Sequence, residues 1–294
     1  MRAIVFTTVL IASCGRIGFE PTSNPGGSDG DSDAPTSATN QAPVASPITW
    51  DMSVVPVRIG IGVMATAPFS DPDVADTHTA MFNWGDGTSS PASVSEAAGS
   101  GSASASHTYP TTGLYTVTFT VTDNSNASAQ SVSYLVVNDP MGGYEFGGGP
   151  FSSPAGAYTM DQSLAGTAFI TQLYARHETD GTLTYPSNEL RFSYSPAGMS
   201  FTGTGMTWLV MSGNKSWLRG QGISTVSSVN ESCYYLLSVV DSTSSPDLVR
   251  VKFWSVATGE VIYDTQKDGA GVSAPDDADA TQPTTSSGTV SFIP

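Results

Sequence analysis

The sequence predicts an all-β protein, on the strength of three observations. Charged residues make up only 12% of the 294 residues, whereas long helices carry many Glu, Lys and Arg on their solvent face. Glycine (30) and proline (19) are abundant, and both residues mark turns. Short stretches alternate between apolar and polar residues, most clearly at 114–122, where Tyr115, Val117, Phe119 and Val121 alternate with threonines.

The net charge of −16 comes from 26 acidic and 10 basic residues. Such a surface repels the phosphate backbone, so nucleic acid is excluded as a partner. The acidity keeps an exported protein soluble and is compatible with divalent cations. The cysteines are Cys14 and Cys233. Because Cys14 lies in the leader described next, no intramolecular disulfide is expected, and Cys233 is expected to be a small buried residue.

The N-terminus has the pattern of a signal peptide over residues 1–13. The positive start Met1-Arg2 precedes an apolar run at 3–12, which is shorter than the about 20 residues that span a bilayer. The end of the run, Ile11-Ala12-Ser13-Cys14, resembles the bacterial lipobox. In that family the cysteine sulfur receives a diacylglycerol and the leader is cut before the cysteine. The resemblance implies lipidation of Cys14, with the membrane as partner through the lipid anchor. An ordinary secretory signal with a chance cysteine is the alternative.

The residues after Cys14 predict a tether at the cell surface. Gly15 stands where an aspartate would retain the protein at the inner membrane, so the resemblance implies the outer membrane or the extracellular surface of the cell envelope. Residues 14–41 are rich in Gly, Ser, Thr, Asp, Asn and Pro and cannot bury enough apolar surface to fold. They are predicted to be a lipidated, disordered tether that reaches roughly 25–30 Å as a flexible coil.

Residues 42–140 carry several motifs in a fixed order. They are Phe69-Ser70-Asp71-Pro72-Asp73, Asp76-Thr77-His78-Thr79-Ala80, Trp84-Gly85-Asp86-Gly87, His107-Thr108-Tyr109, Gly113-Leu114-Tyr115-Thr116-Val117 and Val121-Thr122-Asp123. In order and spacing they resemble the polycystic kidney disease (PKD) domain, which implies an immunoglobulin-like β-sandwich. In that fold Trp84 is expected in the core, and Tyr109 and Tyr115 are expected to pack inside with their hydroxyls on backbone partners. Gly85 and Gly87 are expected to supply a turn.

The same resemblance implies a candidate calcium site, because some PKD domains bind calcium at one end of the sandwich. The candidate oxygen donors are Asp71, Asp73, Asp86 and Asp123. The family often has an aspartate where this chain has Asn83, which lowers the charge of any site. The alternative is that these carboxylates only cap turns by accepting backbone N–H bonds.

Residues 141–294 are predicted to form a second antiparallel β-sandwich domain. Turn clusters are expected at 147–150 and 153–156, and strands at 189–194, 207–211, 216–223, 234–240, 248–254 and 260–264. The segments 153–158, 249–254 and 258–264 resemble a β-rich C-terminal domain that often follows PKD-type repeats in bacterial surface proteins. That resemblance implies architecture and location only.

Motifs for catalysis are not found in the sequence, so no catalytic residue is assigned and the chain is not expected to be an enzyme. His78 and His107 are explained by packing, and the close His or Cys pairs of zinc sites do not occur. Trp217, flanked by Lys215 and Arg219, is a candidate for stacking on a sugar ring, with a core position as the alternative. The acidic residues at 276, 277 and 279 form either a solvated loop or a second calcium site.

Together these observations predict a non-catalytic cell-envelope lipoprotein that acts in adhesion, spacing or partner binding at the surface. The expected partners are a surface protein or a glycan, and calcium is the one candidate cofactor. One alternative is a glycan-binding or glycan-processing accessory protein. Another is a structural component of an envelope assembly.

Overall fold

Strands and tight turns make up almost all of the described chain, as the composition predicts. The computed structural model describes residues 39–51, 56–139, 143–177, 183–184, 189–243, 246–284 and 289–293. The predicted signal peptide, Cys14 and most of the predicted tether lie outside these residues. Within them the only helical element is a 3-10 turn at Ser195–Ala197, and no helix is long and apolar enough to cross a bilayer.

The first module, residues 44–138, consists of two packed sheets. Its strands are β1 (Val44–Ala45), β2 (Thr49–Trp50), β3 (Val57–Arg58), β4 (Gly62–Ser70), β5 (His78–Asn83), β6 (Ser89–Pro91), β7 (Ser93–Ala97), β8 (Ser100–Thr108), β9 (Gly113–Asp123) and β10 (Ser128–Asn138). One sheet has the order β1-β4-β8-β7, with β2 also paired to β4, and the other has the order β3-β10-β9-β5-β6. Among the described strands of this module, only the pair of β3 with β10 is parallel. This arrangement confirms the predicted immunoglobulin-like β-sandwich.

The core of this sandwich follows from the alternation in β9. The apolar residues at 115, 117, 119 and 121 are buried, and the threonines between them are partly exposed. Each buried Val or Phe contributes about 1.5–3 kcal/mol relative to an exposed one. Trp84 is 1% exposed, and its backbone carbonyl accepts a hydrogen bond from the Tyr109 hydroxyl at 3.0 Å. The Tyr115 hydroxyl donates to the Thr111 carbonyl at 2.9 Å. The predicted core positions of Trp84, Tyr109 and Tyr115 are therefore confirmed.

The turn after β5 shows what Asn83 does. Gly85 and Gly87 have φ of 79° and 88°, the left-handed region that glycine enters without strain. A Cβ on Gly85 would lie 2.5 Å from the Thr116 carbonyl oxygen, so a larger residue has no room there. The Asn83 side-chain oxygen accepts the Gly85 N–H at 3.0 Å. Asn83 therefore caps this turn.

The second module, residues 144–293, is built from one 11-stranded antiparallel sheet. Its strands are β11 (Tyr144–Ser153), β12 (Gly166–His177), β13 (Leu183–Thr184), β14 (Leu190–Tyr194), β15 (Met199–Ser212), β16 (Lys215–Val226), β17 (Val229–Val240), β18 (Leu248–Ser255), β19 (Val261–Asp264), β20 (Gln282–Pro283) and β21 (Thr289–Ile293). The main order is β19-β18-β17-β16-β15-β14-β12-β11-β21. β20 pairs with β18, and the next residue, Thr284, bridges Phe151 of β11. The two ends of the sheet are thereby joined around a common core.

Aromatic side chains fill that core. The rings of Phe201 and Phe253 are stacked with centroids 4.2 Å apart, and Phe192 lies 5.0 Å from both Phe253 and Tyr263. Such pairs add about 0.5–1.5 kcal/mol beyond the area that they bury. Cys233 is fully buried beside them, as predicted. The second antiparallel β-sandwich is therefore confirmed as a fold.

The predicted turn at 147–150 is wrong, because these residues continue strand β11. Gly147 pairs with Leu173 and Gly149 with Ile170, with a bulge between them. Gly148 has φ 152°, and a Cβ there would lie 2.5 Å from the Ile170 carbonyl oxygen. The glycines therefore permit close approach to β12 and do not end the strand.

Residues Asn40–Pro294 form one compact unit. The predicted domain boundary between residues 140 and 141 falls between β10 and β11. The two modules are in contact within this unit, and that contact determines where several of the predicted site residues lie.

Candidate functional site

One end of the first module carries a cluster of acidic side chains. Asp71 directly follows β4, Asp76 lies in the loop before β5, and Asp123 ends β9. One carboxylate oxygen from each of the three lies within 4.8 Å of the others. Asp71 and Asp123 are buried, each 4% exposed. Because β4 and β9 belong to different sheets, the packing of the two sheets creates this cluster.

His78 is the basic side chain beside the cluster. Its Nε2 lies 2.9 Å from Asp71 Oδ2, and its Nδ1 lies 2.7 Å from Glu96 Oε2. Burial alone would lower the pKa of His78, but the hydrogen bonds with Asp71 and Glu96 outweigh burial and raise it. Packing alone was predicted for His78, but the structure shows that the ring also bridges two carboxylates.

Asp76 is the member of the cluster whose carboxylate is least well stabilised. Its Oδ2 is buried and has no hydrogen-bond partner among the described residues. Burial and the neighbouring charges of Asp123, Asp71 and Asp73 raise the pKa of Asp76. In contrast, a hydrogen bond from the Asn40 amide lowers the pKa of Asp123. A bound cation would relieve the repulsion at Asp76 and engage its unpartnered oxygen.

The structure brings together only part of the predicted calcium set. Asp71 and Asp123 are in the cluster, whereas Asp73 lies beside it and accepts the Gln41 N–H at 2.7 Å. Asp86 lies apart and accepts hydrogen bonds from the His107 ring at 2.7 Å and from Thr88.

Sequence reasoning missed Asp76 as a member of this cluster. The available signal was its place in the loop that also holds Asp71 and Asp73, two residues before His78. The chemistry of the cluster fits calcium, because carboxylate oxygens are the ligands that this hard cation takes.

Trp217 lies in the contact between the two modules. Leu114 and Val136 of the first module pack against an apolar group on the outer face of the second. That group consists of Trp208, Val210, Trp217 and Leu236. Trp217 is 6% exposed, so a sugar would reach its ring only if the two modules separated. The alternative predicted for Trp217, a buried core position, therefore matches the structure.

The acidic residues at 276, 277 and 279 each have a partner. Asp276 pairs with Lys252 at 2.6 Å and Asp279 with Lys215 at 2.6 Å. The Asp277 carboxylate accepts the backbone N–H of Thr116, in the first module, at 3.1 Å. The segment is therefore neither a freely solvated loop nor a gathered metal site, because its carboxylates are distributed among separate partners that include the other module.

A cationic and aromatic patch lies on the outer face of the second module. Tyr234 pairs in register with Gln221 on one side and with Trp254 on the other, so the three side chains share a face. The Tyr234 and Trp254 rings have centroids 5.7 Å apart. The Arg219 guanidinium carbon lies 5.5 Å from the first ring and 5.2 Å from the second. Both rings are partly exposed, and Gln221 is exposed.

A cleft of about 640 Å³ opens elsewhere on the second module, between the β16–β17 and β18–β19 hairpins. Its walls combine aliphatic side chains with hydroxyl groups, and the carboxylates of Glu231 and Glu260 are among the lining groups. Lys267 donates to the Thr159 hydroxyl at 2.9 Å, and burial lowers the pKa of Lys267. The size suits a small ligand.

The glutamates Glu145 and Glu189 are buried within the second module. Both are 0% exposed. Glu145 has no hydrogen-bond partner on either oxygen among the described residues, and burial raises its pKa to about 8. Glu189 accepts a hydrogen bond from the Tyr235 hydroxyl at 3.1 Å, and burial raises its pKa. Neither residue lines the cleft.

Comparisons with solved structures find β-rich relatives. The PKD domain of an M14-like peptidase from Thermoplasmatales archaeon SCGC AB-540-F20 is 24% identical, with a TM-score of 0.29, over 34% of this chain and 100% of its own. A structure from work on the promiscuous specificity of carbohydrate-binding modules of the β-sandwich superfamily is 15% identical. Its TM-score is 0.28, over 87% of this chain and 96% of its own.

A third similar structure is an uncharacterized protein of Listeria monocytogenes EGD-e in complex with glucose, magnesium and calcium. It is 10% identical, with a TM-score of 0.23, over 68% of this chain and 20% of its own. Among curated proteins, none matches the sequence. The family model of the PKD domain matches residues 40–137. The matched residues form the first module, which is therefore similar to the PKD domain, a domain typical of extracellular and surface proteins.

Proposed function

We propose that the chain is a non-catalytic cell-envelope protein that binds a partner at the surface, with the PKD domain acting as a spacer that presents the second module. The observation that carries this proposal is the buried contact between the modules. Leu114 and Val136 pack against the apolar group around Trp217, and Asp277 bonds to the first module beside them. Such a contact fixes the orientation of the second module relative to the PKD domain. A fixed orientation suits presentation of the second module to a partner better than a flexible connection would.

The buried carboxyl groups support the non-catalytic part of the proposal. Glu145 and Glu189 have raised pKa values, which is often a mark of catalytic sites. Both lie in the hydrophobic interior of the second module, where a substrate has no access. Burial in the core accounts for both shifts without a catalytic role.

An attachment assay tests the proposed function. Cells that display the anchored chain should attach to neighbouring cells better than cells that secrete a Cys14→Ala variant, with display verified separately by antibody binding. Equal attachment by both, with the wild type displayed, would remove the adhesive role. Release of product from a polysaccharide or a peptide would replace the binding role with an enzymatic one.

The proposed location at the membrane depends on lipidation of Cys14. With labelled palmitate, the wild-type chain should carry label and sediment with membranes, and the Cys14→Ala variant should lose the label and become soluble. Two or three acyl chains anchor stably, whereas one chain is marginal. Cys233→Ala is the matched control, because the Cys233 thiol is fully buried and its loss should leave labelling unchanged. Label that persists in the Cys14→Ala variant would refute the anchor.

We also propose that the acidic end of the PKD domain holds calcium, with Asp71, Asp76 and Asp123 as ligands. Calcium at about 100 times its Kd should stabilise the fold by about 2.7 kcal/mol and raise the Tm by several degrees. Asp76→Asn should abolish most of this shift, because it removes the carboxylate whose oxygen has no hydrogen-bond partner within the described part of the chain. Differential scanning calorimetry with calcium and with a chelator measures the effect.

The control for the calcium site is Asp86→Asn. Asp86 is in the predicted set but bonds to His107 and Thr88 away from the cluster. This variant should be less stable than the wild type yet keep the full calcium shift. An unchanged Tm on chelation of the wild type would dismiss the site.

A second candidate function is glycan binding by the second module. The partly exposed pair of Tyr234 and Trp254 on its outer face favours this role, because aromatic faces stack on sugar rings. This pair takes the place of Trp217 as the candidate sugar-binding surface. A glycan array compares the wild type with a Tyr234→Ala variant, and a preference for one class of sugar that this variant loses would support the role.

A further inference from the structure

We infer that the patch around Arg219 binds a carboxylated saccharide, that is, an oligosaccharide that contains a uronic acid. The inference deepens the glycan-binding role proposed above and rests on it. The patch consists of Arg219, Gln221, Tyr234 and Trp254, on three adjacent strands of the second module.

The stacking of Arg219 prepares it for an anion. Its guanidinium carbon lies 5.5 Å and 5.2 Å from the centroids of the Tyr234 and Trp254 rings. A guanidinium that rests on aromatic faces loses little further freedom on binding, and its N–H donors remain in the plane of the group. That fork of donors matches a carboxylate in a bidentate arrangement.

Arg219 also differs from its cationic neighbours in having no acidic partner among the described residues. Arg250 pairs with Asp264, Lys252 with Asp276 and Lys215 with Asp279. Although the chain has a net charge of −16, none of the acidic side chains among the described residues forms an ion pair with Arg219. Charge complementarity therefore favours an anionic group as its partner.

The other members of the patch favour a sugar over other anions. Arg219 lies over part of both rings, and Lys252 Nζ lies 5.3 Å from the centroid of the Trp254 ring. The parts of the two rings that stay exposed, with centroids 5.7 Å apart and planes tilted by 31°, offer an apolar surface to the C–H groups of a pyranose. Gln221 is exposed beside them, and its amide both donates to and accepts from hydroxyls. A long polyanion is disfavoured, because the acidic surface repels it, so a short segment or the end of a chain is the expected ligand.

Isothermal titration calorimetry on the full mature chain tests the inference. The probe is tri-galacturonate, compared with its methyl ester, in which each carboxylate is neutral. The acid should bind at least about tenfold more tightly than the ester, the effect of losing one hydrogen-bonded charge pair. Arg219→Ala should weaken binding of the acid by a similar factor and leave binding of the ester unchanged. Arg219→Lys should fall between, because lysine retains the charge without the fork.

Arg191→Ala is the matched control. Arg191 is an exposed arginine in the same module, on β14, and its removal should change affinity by less than about twofold. Near-ultraviolet circular dichroism should show that the tryptophan environment is intact in each variant. Arg219 is at the surface, so loss of folding is not expected.

Three results would overturn the inference in distinguishable ways. Equal binding of the acid and the ester, undisturbed by Arg219→Ala, would reject the anionic subsite but leave glycan binding standing. Equal binding of tri-glutamate through Arg219 would show a site that recognises carboxylates and not sugars. If neither tri-galacturonate nor any neutral oligosaccharide on an array bound, the glycan-binding role would fail as well.

Discussion

Replacing Asp264 by asparagine should lower the free energy of unfolding by about 3 to 5 kcal/mol, because the charge of Arg250 then stays buried without a counter-charge. Arg250 donates from Nε to Asp264 Oδ1 at 3.1 Å and from Nη2 to Oδ2 at 3.0 Å. Both side chains are 0% exposed. Nη1 also donates to the Pro275 carbonyl and Nη2 to the Ala274 carbonyl, so four of the five N–H donors of this fully buried guanidinium are engaged. Urea unfolding followed by tryptophan fluorescence measures the loss.

The matched control is the pair of Lys215 and Asp279, which is 36% and 54% exposed. Asp279→Asn should change the free energy of unfolding by less than about 1 kcal/mol, as is usual for surface pairs. The double replacement Arg250→Met with Asp264→Leu should cost less than Asp264→Asn alone, since it leaves no unpaired charge. Equal losses for Asp264→Asn and Asp279→Asn would contradict this account of the buried pair.

Glu145→Gln should stabilise the protein at alkaline pH and change little at acidic pH. The pKa of Glu145 is raised from 4.5 to about 8 by burial, so between these values the folded state holds a proton that the unfolded chain has released. The stability that this proton contributes is fully present below pH about 4.5 and is lost as the pH rises through 8. The difference between the two pKa values corresponds to about 3 to 5 kcal/mol, and glutamine does not ionise.

The measurement is the difference in unfolding free energy between Glu145→Gln and the wild type, at pH 5.5 and at pH 8.5. Taking the difference cancels the titration of the other carboxyl groups. Glu260→Gln serves as the control, because Glu260 is exposed and its difference should be the same at both pH values. If the effect of Glu145→Gln were equally flat, Glu145 would have to be ionised or solvated in the folded state.

Local patterns predicted the elements that local rules determine. The alternation around Phe119 was enough for β9, because one buried face and one wet face impose a period of two residues. The same rule failed at 147–150, where three glycines and a proline have no side-chain pattern. Pairing of that segment with β12 is a tertiary effect that overrides the turn propensity of glycine and proline.

The acidic cluster and the burial of Trp217 both depend on packing between distant elements, and a single sequence does not reveal such packing. Asp71 and Asp123 were predicted, together with Asp73 and Asp86, because these aspartates stand in family motifs. Asp76 joins them only because the two sheets stack and bring the loop end beside β9. The alternation around Trp217 is the same whether that face is open or covered by another module, so its burial could not be read from the strand itself.

The stretch from Ala274 to Asp279 also governs how a pulling force crosses the molecule. Its backbone holds Arg250 through the carbonyls of residues 274 and 275, while the Asp276 N–H bonds to the Tyr134 hydroxyl at 3.3 Å and Asp277 to the backbone of Thr116. Tyr134 and Thr116 are paired neighbours on β10 and β9. A force that separates the modules therefore stretches these hydrogen bonds in parallel, so they would have to break together and not in sequence. We therefore expect the two sandwiches to respond to a mechanical load as one body.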